Sequence, residues 1–143
     1  MPIFKAAWVL PIAAPPIRDG WVEVERGRVV GVGGGPRLNT TDLGAVAMLP
    51  SLVNAHTHLE LSYLRGAIPR ATRFLDWIRV RMAARRQYAD PADPEILYAA
   101  RRAISESRAA GTGLIGDISN TLVTVPLLQH ADIPGNVLYE VLG

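Results

Sequence analysis

The chain has 143 residues, enough for one modest domain with its own core. Its composition is globular, 49% apolar and 20% charged, and the absence of cysteine excludes disulfides and thiolate metal sites. The net charge is only +2, carried almost entirely by arginine. Arginines cluster at Arg79 to Arg86 and Arg101 to Arg108, where they alternate with helically spaced apolar residues and no aromatic platform. That pattern reads as two solvated helix faces rather than a nucleic-acid surface.

The N-terminal third reads as short strands. Lys5 followed by "AAWVLPIAAPP" has the outline of a signal peptide, but Pro11 breaks the apolar run and a single positive charge precedes it. "IFKAAWVL" is expected to be a strand. No apolar stretch reaches the roughly 18 residues of a membrane span, so the expectation is a soluble, cytoplasmic protein without a membrane or nucleic-acid partner. Pro15 and Pro16 force extended or turn structure. "GWVEVERGRVVGVGGG" predicts a hairpin turning at Arg26-Gly27, with Val22 and Val24 on one face and Glu23 and Glu25 on the other. "GGGPRLNTTD" reads as a loop.

The character changes near Pro50. "SLVNAH" is short and mostly apolar, as expected of a strand covered on both sides. "ATRFLDWIRVRMAARRQY" predicts a helix whose inner stripe is Phe74, Trp77, Ile78 and Met82. Asp93 and Pro94 predict the N-cap and first residue of a second helix, which runs to a stop at Gly111. Its inner stripe is Ile96, Leu97, Ala100, Ala103, Ile104 and Ser107. "TGLIGDIS" reads as a buried strand. "TLVTVPLLQHA" is a weaker helical segment, with Pro126 and β-branched residues against it. "GNVLYEVLG" reads as a closing strand. Strands alternating with helices imply a parallel sheet and an α/β fold.

Two of the chain's three histidines fall in "NAHTH". Side chains alternate along a strand, so Leu52, Asn54, His56 and His58 share one face and Val53, Ala55 and Thr57 the other. The first face grows more polar toward the C-terminal end, the layout of a barrel strand that opens into a site at its mouth. Two imidazoles at this spacing can converge on one ion, and neutral imidazole nitrogen suits zinc and similar divalent metals. Two partly buried histidines bonded to backbone would give the same spacing. His130 falls in the weak helix and reads as a surface or helix-end residue.

"LPSLVNAHTHLELS" resembles the metal-dependent amidohydrolase superfamily, in its deaminase and chlorohydrolase branch, where a Pro-Gly turn leads into the first barrel strand and its His-x-His. "GTGLIGDISN" is similar to that family's second barrel strand and "VLYEVLG" to its third. The resemblance implies the N-terminal part of a composite β-sandwich over residues 1–49. It further implies the first three or so β/α units of a truncated (β/α)₈ TIM-like barrel over residues 50–143. Ser51 stands where the family usually has Gly, which would strain a turn that demanded positive φ.

The resemblance implies an enzyme that hydrolyses carbon–nitrogen bonds, deaminating a small heteroaromatic or nucleoside-like amine with metal-activated water. His56 and His58 would be metal ligands, for zinc first, with iron and manganese as alternatives. Asn54, Glu60 and Glu140 are candidates for touching substrate or orienting a histidine. Asp117 reads more readily as a helix cap or surface carboxylate. A complete barrel takes about 250 residues, so the general acid/base and the later ligands are expected beyond the chain end. Two other readings stand beside this one: a catalytically incomplete fragment or subunit, and a small α/β binding module without metal. Open barrel edges would favour self-association.

Overall fold

The computed structural model describes residues 1–70 and 72–141. The chain divides into two compact units, Met1–Pro50 and Ser51–Gly143. The first unit is a five-stranded sheet. Strands β1 (Ile3–Val9), β2 (Ile17–Glu25) and β3 (Arg28–Gly34) form an antiparallel meander in the order β3-β2-β1. The β2–β3 turn falls on Arg26 and Gly27, both at positive φ (49° and 75°). A two-residue turn of that kind matches the twist of the strands it joins. The segment expected to be a loop carries a short strand, β4 (Thr40–Asp42), parallel to β1. β5 (Ala47–Met48) continues along the same edge. The outer edge of β1 was free to pair, and local sequence does not report a free edge elsewhere.

The second unit is a three-stranded parallel sheet, in the order β6 (Leu52–Thr57), β7 (Thr112–Ser119), β8 (Gly135–Tyr139). The β6-to-β7 connection holds a 3-10 helix (Leu59–Leu64) and helices α1 (Phe74–Arg85) and α2 (Pro94–Ala109). Helix α3 (Val125–His130) lies between β7 and β8, with Pro126 in its first turn, where a missing N–H costs nothing. Leu142 and Gly143, which end the segment expected to close the sheet, lie outside the described residues.

The core of this unit joins Leu59, Ala100, Ala103, Ile104, Ile115, Leu127, Leu128 and Ile133. Helix α2 supplies three of them, as its periodicity and cap require. The Asp93 side chain accepts the Glu95 N–H at 2.8 Å, and Ile96, Ala100, Ala103 and Ile104 are buried. Helix α1 meets expectation in part: Trp77, Ile78 and Met82 of its stripe are half-buried, none of its residues is fully buried, and Phe74 is 71% exposed. β6 differs from expectation. Leu52 and Val53 are 53% and 59% exposed, so the strand is not covered on both faces. Among the described residues it is an edge strand, with only β7 against it in the sheet.

Ser51 is not among the residues with positive φ, so the turn imposes no strain there. The tight spot is across the sheet. A Cβ at Gly113 would lie 2.5 Å from the Ser51 Cβ, so Gly113 leaves room for the serine. Among the described residues, no helix is long and apolar enough to cross a membrane.

Candidate metal centre

The site is built at the C-terminal ends of the three parallel strands. β6 does not run straight into it. Asn54 pairs with Ile115, yet Thr57, three residues on, pairs with Asp117, only two residues on. The extra β6 residue makes a bulge. The Asn54 side chain accepts the His56 N–H at 3.3 Å, which stabilises the bend. On β7, Gly116 makes room for it: a Cβ there would sit 2.6 Å from the Ala55 carbonyl oxygen.

His58 lies one residue past the strand, as the residue that caps the 3-10 helix, with φ −126° and ψ 80°. Strict strand alternation through His58 therefore does not hold, yet the two imidazoles still meet. Their ring centroids are 5.3 Å apart, at 71° to one another. His56 is exposed and His58 half-buried. The His58 Nδ1 is fully buried and has no hydrogen-bond partner among the described residues.

Both flanks of His58 are fixed. Its carbonyl accepts the Leu61 N–H at 3.0 Å, and the next N–H, of Leu59, donates to Asp117 Oδ1 at 2.8 Å. The other Asp117 oxygen accepts the Thr124 hydroxyl at 2.6 Å. Asp117 is 0% exposed, so the surface-carboxylate reading is overturned. It caps the 3-10 helix across the sheet and ties that cap to the start of α3. Its partners are 58 and 7 residues away, too dispersed for a local pattern to reveal.

Glu60 is 3% exposed and is fully engaged. Its carboxylate accepts the Ser119 hydroxyl (2.7 Å), the Asn120 N–H (3.0 Å), the Thr121 N–H (3.1 Å) and the Thr121 hydroxyl (2.5 Å). Arg85 of α1 approaches it at 3.4 Å. Burial alone would raise its pKa, but the hydrogen bonds from Ser119, Thr121 and Asn120 outweigh burial and hold it below the usual carboxylate range. It is therefore ionised at neutral pH.

Asn120 continues the network. It accepts from Arg85 at 2.8 Å and donates to the Glu140 carbonyl at 2.7 Å and carboxylate at 3.3 Å. Glu140 follows directly after β8, its N–H bonded to the Ser119 carbonyl at 2.9 Å. Sequence reasoning passed over Ser119, Asn120, Thr121 and Arg85. The signal available was the run "SNT" straight after a strand, where short polar side chains favour turns and local hydrogen bonds. Arg85 was read as part of a solvated face, but it is only 19% exposed.

The network and the histidine pair do different work. Glu60 and Asp117 accept from protein donors, Asn120 both accepts and donates, and the three hold the strand ends in place. The histidines are held by that frame but are not used up by it. Among the described residues, no group of three or more His, Asp or Glu side chains is close enough to enclose an ion. His130, exposed at the end of α3, takes no part.

No protein-family model matches the chain. Among characterised proteins it is 33% identical over 69 residues to a 5-methylthioadenosine/S-adenosylhomocysteine deaminase of Nitratidesulfovibrio vulgaris (strain DP4), a match covering 43% of this chain and 15% of that protein. It is 29% identical over 108 residues to an adenosine deaminase of Helicobacter pylori, covering 76% of this chain and 25% of that one. Among solved structures, aminofutalosine deaminase of Helicobacter pylori in complex with methylthio-coformycin superposes with a TM-score of 0.80 at 24% identity, over 100% of this chain and 36% of that one. A zinc complex of atrazine chlorohydrolase from Arthrobacter aurescens TC1 gives 0.76 at 20% identity, over 97% and 35%. Identities this low establish a shared mixed α/β fold. The chain spans about a third of the solved structures it matches and a quarter or less of the two sequence relatives.

Proposed function

Starting from its resemblance to the N-terminal portion of metal-dependent amidohydrolases, to which its sequence relatives and structural neighbours belong, we propose that this chain carries the first part of a hydrolytic deaminase. In this reading Met1–Pro50 is the N-terminal part of a β-sandwich, and the residues after it form the first three β/α units of a (β/α)₈ barrel. The substrate is a small nucleoside-like amine, and a cytoplasmic setting belongs to the same reading.

His56 and His58 would hold a divalent metal, zinc foremost. The observation that carries this assignment is the buried Nδ1 of His58, without a hydrogen-bond partner among the described residues, on a ring whose centroid lies 5.3 Å from a second imidazole. Buried polar nitrogens are otherwise paired, and a neutral imidazole nitrogen is a common metal donor. When bound, such an ion supplies the Lewis acidity that makes water nucleophilic at neutral pH. The chain's own residues set the frame. Asp117 fixes the main chain after His58, and Asn54 shapes the bulge that turns His56 toward it. Glu60 and Asn120 lock the exits of β6, β7 and β8 together. Glu140, next to Asn120, stands at the third strand exit, where it could orient a substrate amine.

A site of this kind normally takes three protein ligands and water, and the described residues offer no such trio. That favours the second reading at the level of activity: these residues need the later ligands and the proton-transferring carboxylate from outside them before turnover begins.

Zinc titration by calorimetry on metal-stripped protein tests the assignment. The expected result is one zinc per chain, weakened about tenfold or more by His56→Ala or by His58→Ala. Zinc affinity indifferent to both substitutions would remove the histidines from the metal site.

A further inference from the structure

Beside His58 lies a cavity of about 400 Å³. Its walls include Leu61, Leu64 and Ile68, with Trp77 and Arg81 of α1 on one side and Arg65 on another. The Arg81 guanidinium carbon sits 5.5 Å from the Trp77 ring centroid, within cation–π range. The cations in this part of the unit are not equivalent. Arg65 is held by Glu106 at 2.6 Å, and Arg85 by Asn120 and Glu60. Among the described residues, Arg81 has no ion pair and no side-chain hydrogen bond.

We propose that this cavity is a subsite for a carboxylate carried on an apolar body, with Arg81 as its recognition group and Trp77 and the leucines as its walls. The inference rests on the reading of His56 and His58 as the reacting end: the subsite would take the part of the substrate remote from the amine. A planar guanidinium backed by an aromatic face presents two parallel N–H donors, which match the two oxygens of a carboxylate. A phosphate carries up to two negative charges, and only one uncommitted cation faces this cavity. The apolar walls disfavour an ion that arrives without an apolar body.

Three probes with one alkyl chain test this: hexanoate, hexanamide and hexyl phosphate, titrated by ligand-observed NMR against the full chain after metal removal with EDTA. Hexanoate is expected to bind at least about fivefold more tightly than hexanamide, in line with a charge-assisted bidentate pair. Arg81→Gln should erase that preference, Arg81→Lys should restore part of it, and Arg65→Gln should leave it within about twofold. Trp77→Leu should weaken hexanoate and hexanamide alike. Equal binding of acid and amide overturns the subsite, as does an unaltered preference in Arg81→Gln or a preference for hexyl phosphate. Loss of binding in His58→Ala with retention in Arg81→Gln also overturns it, because the carboxylate would then sit on the histidines. If the zinc titration fails while the Arg81-dependent preference stands, the metal reading falls and the subsite survives.

Discussion

Helices α1 and α2 follow one another in the same connection and carry similar loads of arginine, but they are held in place by different forces. Helix α2 is a core element: Ile96, Ala100, Ala103 and Ile104 are buried, Asp93 caps it, and it shares the hydrophobic cluster with β7 and α3. Helix α1 buries none of its side chains fully, although Trp77, Ile78 and Met82 are half-buried. Its tie to the strand ends is the Arg85 guanidinium, reaching Asn120 and Glu60. Apolar burial is non-directional and grows with area, whereas a polar tether acts at one point and depends on charge. One helix is therefore placed by close packing, and the other by half-buried contacts together with a hydrogen-bonded tether that also borders the histidine site.

The contrast can be broken most sharply in α2. Ile104→Ala removes a side chain that is 2% exposed in the centre of the cluster, and is expected to cost about 3 kcal/mol in urea unfolding. A loss under about 1 kcal/mol would mean that α2 is not a core element. Glu60→Gln comes next, because an amide donor replaces an acceptor among five donors. The expected cost is about 2 kcal/mol at pH 7, with hydrogen-exchange protection falling first in α1. The pH dependence sharpens this. The folded carboxyl titrates below its ordinary value of 4.5, so its stabilisation is complete above that value and is lost as pH falls through the folded one. The gap between wild type and Glu60→Gln should therefore close in acid, and a constant gap from pH 7 to pH 3 would contradict the ionised clamp. The smallest effect belongs to Phe74→Ala in α1. At 71% exposure it should shift stability by no more than about 0.5 kcal/mol.

The same two helices show what a sequence carries and what it omits. Asp93, Pro94 and the spacing of Ile96, Ala100, Ala103 and Ile104 are local signals, and the helix they predict is present within a residue or two. The stripe of Phe74, Trp77, Ile78 and Met82 is equally periodic. It names the half-buried face of Trp77, Ile78 and Met82, but not how fully that face is covered. β6 was misjudged for the same reason: apolar composition fits a covered strand, while position at a sheet edge depends on pairings far along the chain. Within the site, the spacing of His56 and His58 was visible at once because it is local. The roles of buried Asp117 and half-buried Asn120 were not, since their partners Leu59, Thr124, Arg85 and Glu140 lie between 7 and 58 residues away.

Those separations have a consequence for how the protein is made. Leu59 and Glu60 are fixed by groups that a ribosome adds 58 to 61 residues later. Until Asp117, Ser119 and Thr121 have left the exit tunnel, the main chain around the imidazoles has local bonds from Asn54 and Leu61 but no anchor in the sheet, and closing so long a loop has its own entropic cost. A cation meeting the nascent polypeptide would find two rings not yet anchored to a sheet, and the full grip would begin only when β7 docks.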